Sequence, residues 1–278
     1  MNPRSMILDM TRRFREIGIP DPEVDSAALL AFLCARNPLE LRLDTETELD
    51  TETEKRYAAL CERRMHREPL QYILGECRFC GENFMVTPDV LIPRPETELL
   101  CEWAVIKMKG KESPKILDMC CGSGCIGITL KRRLPSSFVM LSDLSAAAAD
   151  VARKNADRLS ADVTVITGDL FENIADNDFD LIVSNPPYIP KEECGFLQEE
   201  VKKEPFMALD GGNDGLDFYR RICRSAPGYL RRNGALMFEL GDGQYSAVRD
   251  FMQESGFGNV EFRRDFQDIS RMIAGTKC

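Results

Sequence analysis

Long apolar runs are missing from this chain: the longest, Ala27 to Ala35, falls far short of the roughly 20 residues a membrane-spanning helix needs. The opening residues, MNPRSMILDMTRRFREIG, show no cationic stretch followed by a long apolar core and a small-residue cleavage site, so a secretory signal is not expected and the protein is expected in the cytoplasm. Eleven cysteines are too sparse for a disulfide scaffold of 278 residues, and in a reducing compartment an odd number reads as free thiols. Histidine is nearly absent, with His66 the only one, so Cys77-x-x-Cys80 has neither a second cysteine pair nor a companion histidine to complete a tetrahedral metal site. No metal is expected. Positive charge is also short, 36 Lys and Arg against 46 Asp and Glu, and the net charge of -10 repels phosphate backbones. The basic residues are dispersed, with only short clusters such as Arg12-Arg13, Lys131-Arg132-Arg133 and Arg231-Arg232, so direct nucleic-acid binding is not expected. A hydrophobic fraction of 44% with 29% charged residues remains, the balance of an ordinary folded protein able to bury a real core.

Residues 1–78 carry helical periodicity. Asp21-Pro22-Glu23 reads as a helix start: an oxygen to cap free N–H groups, a proline whose missing N–H costs nothing there, and an acid facing the positive helix end. The helix it opens is apolar nearly all round over Ala27 to Leu33 and is expected to be buried. The acidic, Thr-rich stretch from Asp44 reads as a solvated turn leading into a helix over Glu54 to Arg67, with His66 on its exposed side. In residues 79–95, Phe79, Phe84, Val86, Val90 and Ile92 are punctuated by Gly81, Pro88, Pro93 and Pro95, which predicts a β-hairpin and a stiff linker between two domains. Residues 96–278 alternate: strands over Lys115–Met119, Phe138–Leu141, Val163–Thr167, Phe179–Ser184 and Ala235–Leu240, and helices over Ile126–Arg133, Ala146–Asn155, Leu216–Leu230 and Ser246–Ser255. That rhythm predicts an α/β domain with a mostly parallel sheet covered by helices on both faces.

Two segments carry chemistry. The first strand runs into Asp118-Met-Cys120-Cys121-Gly122-Ser123-Gly124-Cys125-Ile-Gly127, a glycine turn into a helix that lets a ligand approach the backbone beside free N–H groups. Its G-x-G-x-x-G spacing also fits a dinucleotide. Asp143, ending the next strand, is placed to accept from both hydroxyls of a ribose, which fits NAD and S-adenosylmethionine alike. The second segment is Ser184-Asn185-Pro186-Pro187-Tyr188, directly after an apolar strand. Its two prolines fix φ and donate nothing, so it presents acceptors at a strand's carboxyl end. The Asn185 amide oxygen and the Pro186 carbonyl suit a planar NH2 group against which Tyr188 can pack. A site of two acceptors favours an amino group, because a buried acceptor left unpaired costs about 1–3 kcal/mol. Glu239, at the end of a later strand, is a further candidate for contact with substrate.

With these motifs the chain resembles the S-adenosylmethionine-dependent methyltransferases that modify amino nitrogens on planar groups. Within them it is similar to the PrmC/HemK family over nearly its whole length. Arg67-Glu-Pro-Leu-Gln-Tyr-Ile-Leu-Gly75, Val90-Leu-Ile-Pro-Arg-Pro-Glu-Thr-Glu98, the N-P-P-Y-I-P run ending at Pro190, and Ala208-Leu-Asp-Gly-Gly212 with Asp214-Gly-Leu216 carry the likeness. It implies a Rossmann-like, seven-stranded methyltransferase domain over 96–278 and an N-terminal helical domain that helps dock the substrate. The implied reaction is methylation of the glutamine side-chain nitrogen N5 in the Gly-Gly-Gln motif of class-1 peptide chain release factors, modulating translation termination. Cys120, Cys121, Gly122, Ser123, Gly124, Asp143, Leu170 and Asn185 would bind the cofactor, and Asn185, Pro186, Pro187 and Tyr188 would hold the glutamine. The chain is expected to act as a monomer. Its one departure is Cys120, where the family's loop has glycine. Rival readings are a nucleic-acid amino-methyltransferase acting on a flipped base, a ribosomal-protein glutamine methyltransferase and, in another class, an NAD-dependent oxidoreductase.

Overall fold

Short polar side chains and prolines start the helices of the amino-terminal part. The computed structural model describes all 278 residues, Met1 to Cys278. Helix α1 (Pro3–Glu16) is capped by Asn2, whose Oδ1 accepts the Ser5 N–H at 2.8 Å; α3 (Pro38–Leu43) and α4 (Thr51–Met65) are capped likewise by Asn37 and Asp50. Helix α2 (Pro22–Cys34) opens on Pro22 as the sequence predicts, but the Asp21 side chain makes no capping bond; Glu23 and Asp25 in the first turn supply the negative charge instead. Nor is α2 covered all round, since Phe32 is 52% exposed. Helix α4 begins ahead of the expected Glu54, because Asp50 supplies the cap within the acidic stretch. A short α5 (Leu70–Leu74) ends on Gly75 in the left-handed region.

Phe14, Leu29, Leu30, Leu41, Tyr57 and Ile73 form this unit's core. A buried ion pair crosses it: Arg64 Nε donates to Asp25 Oδ2 at 2.6 Å, with both side chains under a tenth exposed. The compact unit consists of Met1–Glu76 together with Gln198–Lys203, a later segment whose Glu200 accepts from Arg64 and Arg67 at 3.0 and 3.2 Å.

Cys77–Leu197 and Glu204–Cys278 form the second unit. The predicted hairpin is present, turning at Cys80 and Gly81 between β1 (Glu76–Phe79) and β2 (Glu82–Met85), both turn residues at positive φ. It starts earlier than residue 79, so a division at 78/79 runs inside β1. The stretch Pro93-Arg94-Pro95, read as linker, launches a helix the sequence reading did not anticipate, α6 (Pro95–Met108). Pro95 sits at its first position, where no N–H is needed.

The rest alternates as predicted through β3 (Lys115–Met119), α7 (Cys125–Arg133), β4 (Phe138–Asp143), α8 (Ala146–Arg158), β5 (Thr164–Thr167), β6 (Phe179–Ser184), α9 (Asp217–Ser225), β7 (Leu230–Glu239) and α10 (Tyr245–Glu254). The helix expected over Leu216–Leu230 ends at Ser225: Pro227 follows in a single 3-10 turn, and Leu230 already belongs to β7. Two strands unforeseen in the sequence, β8 (Phe257–Arg264) and β9 (Ser270–Lys277), close the chain. They lie at one edge of a seven-stranded sheet of order β5-β4-β3-β6-β7-β9-β8, in which β9 alone runs antiparallel to both neighbours. Alternate residues feed two cores. Ile116, Leu141, Leu181 and Val183 pack with Leu100, Trp103 and Ile128 on one face, while Leu117, Met119, Ile182 and Phe238 pack with Tyr219, Ile222 and Val248 on the other. From β3 one connection leads to β4 and, across the order reversal, β6 lies on β3's other side, so the carboxyl ends of β3 and β6 flank a crevice where parallel sheets bind ligands.

Candidate active site

In that crevice a cavity opens to solvent, at the place where ligand sites of parallel sheets lie. Its wall includes Cys120, Cys121, Gly122 and Ser123 from the turn after β3, Asp143 at the end of β4, and Asn185 and Pro187 after β6. Three positions of the turn adopt positive φ: Cys120 at 59°, Gly122 at 52° and Gly124 at 79°. Cys120 thus takes up the left-handed conformation that a glycine would adopt without strain. Gly124 starts α7 and no side chain caps it. A Cβ there would meet Ile128 and Leu141, so this glycine is needed for packing. Gly127 has the same kind of role: a Cβ would strike Leu141 and Asp118, and its N–H donates to Asp118 Oδ2 at 2.8 Å.

Asp143 binds the turn itself. Its Oδ2 accepts the Gly122 N–H at 2.8 Å and its Oδ1 the Ser145 N–H at 2.9 Å, leaving further lone pairs on both oxygens. Burial raises its pKa above the ordinary aspartate range, against the pull of those amides. Asp118, fully covered beneath the turn, is pushed up to about 8 by burial, the Gly127 amide opposing and the Asp143 charge adding to the rise. Its Oδ1 has no hydrogen-bond partner.

Not every predicted residue reaches the cavity. Asn185 and Pro187 line it, whereas Pro186, which is buried, and Tyr188, whose ring lies beside Gly241, do not. The Tyr188 carbonyl accepts from Gln244 Nε2 at 2.8 Å, and burial raises the Tyr188 phenol. Leu170 lies off the wall, 7% exposed and at φ 52°, its carbonyl accepting from Ser142 Oγ at 3.4 Å. The glycine-rich block after Ala208 supports the N-P-P-Y turn by backbone: the Ile189 N–H donates to the Leu209 carbonyl at 3.0 Å and the Gly211 N–H to the Ile189 carbonyl at 2.8 Å. A Cβ on Gly211 would strike the Tyr188 backbone. Glu239, raised to about 7 by burial, does not line the cavity but accepts from Thr97. His66 is exposed at the end of α4. Cys77 and Cys80 are free and part-buried, and no group of three or more His, Cys, Asp or Glu could hold a metal.

The sequence reading assigned no role to Arg94 or Thr97, although both sit in the Val90–Glu98 block that carried the family likeness. Val90, Leu91, Pro93, Arg94 and Thr97 line the cavity. Glu204 holds this stretch in place, accepting the Ile92 N–H at 3.0 Å and the Arg94 guanidinium at 2.6 Å from a position 5% exposed. Pro205, Met207 and Ala208, directly after it, add an apolar wall.

The sheet order, the glycine turn and the acid at the end of β4 define the class: a seven-stranded methyltransferase that uses S-adenosylmethionine. Residues 97–203 match the methyltransferase small domain, and residues 6–75 match the PrmC N-terminal domain. The chain belongs to the release factor glutamine methyltransferase family. It is 42% identical to the release factor glutamine methyltransferase of Geobacter sulfurreducens, over 97% of this chain and 95% of that one, and 40% identical to that of Chlorobaculum tepidum, over 94% and 92%. Among solved structures, a methyltransferase from Pyrococcus furiosus superposes with TM-score 0.53 at 15% identity, covering 81% of this chain and 98% of that one. The 16S rRNA N2 G1207 methyltransferase of T. thermophilus gives 0.53 at 16%, covering 73% and 50%. Both likenesses concern the fold.

Proposed function

We propose that this chain methylates the N5 side-chain nitrogen of the glutamine in the Gly-Gly-Gln motif of class-1 peptide chain release factors and thereby modulates translation termination. One observation carries the reading: a single cavity is lined both by a ribose-type carboxylate on a glycine turn and by Asn185 and Pro187 of the N-P-P-Y segment. The donor set of the cavity fits the parts of S-adenosylmethionine. Cys120, Cys121, Gly122, Ser123 and Gly124 would hold the methionine portion along their backbone, Asp143 the ribose hydroxyls, and Asn185 the end nearest the substrate. Leu170 shapes the adenine side through its backbone. The bound cofactor supplies an electrophilic methyl on a sulfonium.

What the chain's own residues contribute is orientation and polarisation. An amide nitrogen is a poor nucleophile, since its lone pair is delocalised into the carbonyl. Asn185 Oδ1 and the Pro186 carbonyl, the latter reached along the N-P-P-Y backbone, accept the two N–H groups of the glutamine, raise electron density on nitrogen and fix its direction. Pro187 excludes water beside them, and Tyr188, off the cavity wall, holds the turn through its carbonyl's bond to Gln244. No strong base is required, because the nitrogen becomes acidic once methylated and releases its proton afterwards.

The helical unit docks the protein substrate, and the enzyme acts as a monomer in the cytoplasm, where release factors work. Its net charge of -10 disfavours a nucleic-acid substrate. The test is mass spectrometry of an unmodified class-1 release factor incubated with the protein and S-adenosylmethionine, with fragmentation across Gly-Gly-Gln. One added methyl on that glutamine is the expected result. Transfer instead to a ribosomal protein or nucleic acid in parallel reactions overturns the substrate.

A further inference from the structure

Behind Asn185 runs a short buried chain of hydrogen bonds that the reaction as described does not use. Thr97, in the first turn of α6, and Glu239, the last residue of β7, are 2% and 1% exposed. Thr97 Oγ1 donates to Glu239 Oε2 at 2.6 Å, and Asn185 Nδ2 donates to Thr97 Oγ1 at 3.3 Å. A hydroxyl has one proton, and an ionised carboxylate only accepts. Thr97 therefore commits its proton to Glu239 and offers Asn185 nothing but lone pairs. Only the NH2 end of the Asn185 amide can meet them, so its oxygen is the end left for a ligand.

We infer that Thr97 and Glu239 are positioning residues that set which way the Asn185 amide faces, keeping its oxygen turned to the glutamine nitrogen. The inference rests on the glutamine reading above and extends it. The same chain is reversible by one proton. A protonated Glu239 becomes a donor to Thr97, and the Thr97 proton is then released toward Asn185. The Asn185 amide turns over and presents NH2 to the substrate NH2, donor against donor. Burial brings the Glu239 carboxyl up to about 7; Arg271 and Arg94 hold it down, and Glu96 adds to the rise. The phenols of Tyr188 and Tyr219 also lie in its field. Arg271 is itself engaged by Asp265 and by the Leu240 carbonyl, at 3.2 and 3.0 Å.

The test is single-turnover methyl transfer to a release factor across pH, with S-adenosylmethionine affinity measured separately by calorimetry. Thr97→Val should slow transfer about 10- to 100-fold with cofactor affinity and substrate KM nearly unchanged, and Thr97→Ser should restore most of the rate. The wild-type rate should fall about tenfold per pH unit on the acid side of neutrality, and Glu239→Gln should abolish that limb. A wild-type rate in Thr97→Val, a Thr97→Ser as slow as the valine variant, or an unchanged acid limb in Glu239→Gln overturns the relay while leaving the glutamine reading intact. Failure of the wild type to methylate the release factor overturns that reading instead. A second measurement needs no substrate: the side-chain NH2 resonances of Asn185 should titrate near neutral pH in the wild type and not in Glu239→Gln. Resonances flat in both, or titrating in both, overturn the relay by themselves.

Discussion

Two carboxylates and an amide carry most of the proposed chemistry, and each residue separates binding from catalysis in its own way. Asp143 both anchors the glycine turn and faces the cavity, so Asp143→Ala should weaken S-adenosylmethionine binding by about 10- to 100-fold, the loss of one or two charge-assisted hydrogen bonds. Asn185→Ala should leave that affinity within a few fold and lower methyl transfer by about 100-fold or more. Calorimetry alongside single-turnover rates separates the two; equal loss of both in Asn185→Ala would remove it from the substrate. Asp118 is a different case, since it holds α7 against β3 while buried with its pKa raised to about 8. A carboxyl raised on folding contributes stability that is fully present below its unfolded pKa near 4 and is lost as pH climbs toward 8. Asp118→Asn, which still accepts from Gly127, should therefore gain stability relative to wild type between pH 4 and 8. Urea unfolding at several pH values checks this, and a constant difference across that window would count against it.

At the scale of elements, α2 and α4 are joined by the buried Arg64–Asp25 pair, which Glu200 extends to the segment Gln198–Lys203. Removing one partner of a buried pair leaves the other charge uncompensated. Arg64→Leu should destabilise the helical unit by about 3 kcal/mol at neutral pH, and the deficit should shrink as pH falls, because Asp25, already raised by burial, takes up a proton. Denaturation followed by circular dichroism reads both effects, and a deficit independent of pH would argue against the pair. The elements legible in the sequence were those with a single dominant period. β3 and β6 are short, mostly apolar segments that lead into turn residues, and were placed at their observed ends. Helix α6 was not, because the flanking prolines of Pro93-Arg94-Pro95 read as linker and its apolar residues are spread around the helix. Edge strand β8 escaped because a largely exposed stretch like Val260 to Arg264 has no apolar run to announce it, and β9, interior between β7 and β8, carries only the short run Met272 to Ala274.

Across the whole molecule, all eleven cysteines are free and only Cys278 is exposed. One thiol should react with a disulfide reagent within the mixing time of the native protein and all eleven in denaturant. Cys120 and Cys121 line the cavity, so S-adenosylhomocysteine should slow part of the later labelling. Peptide mapping of the labelled protein checks both, and fast labelling of several internal thiols would contradict the burial described. The helical unit also depends on the whole chain, since a segment distant in sequence, Gln198–Lys203, completes it.

The sequence by itself determined the class and the two motifs: a glycine turn after an apolar strand, an acid at the end of the next, and two prolines after a third are local patterns whose chemistry is legible from residue type and spacing. It also held Thr97 and Glu239, far apart in sequence, without indicating that they touch. Only the tertiary structure decided that, by ending β6 and β7 side by side with Ser184 opposite Phe238 and laying the first turn of α6 across them. Hydrogen bonds between distant side chains depend on the register of strands and the seating of helices, and no local pattern encodes these.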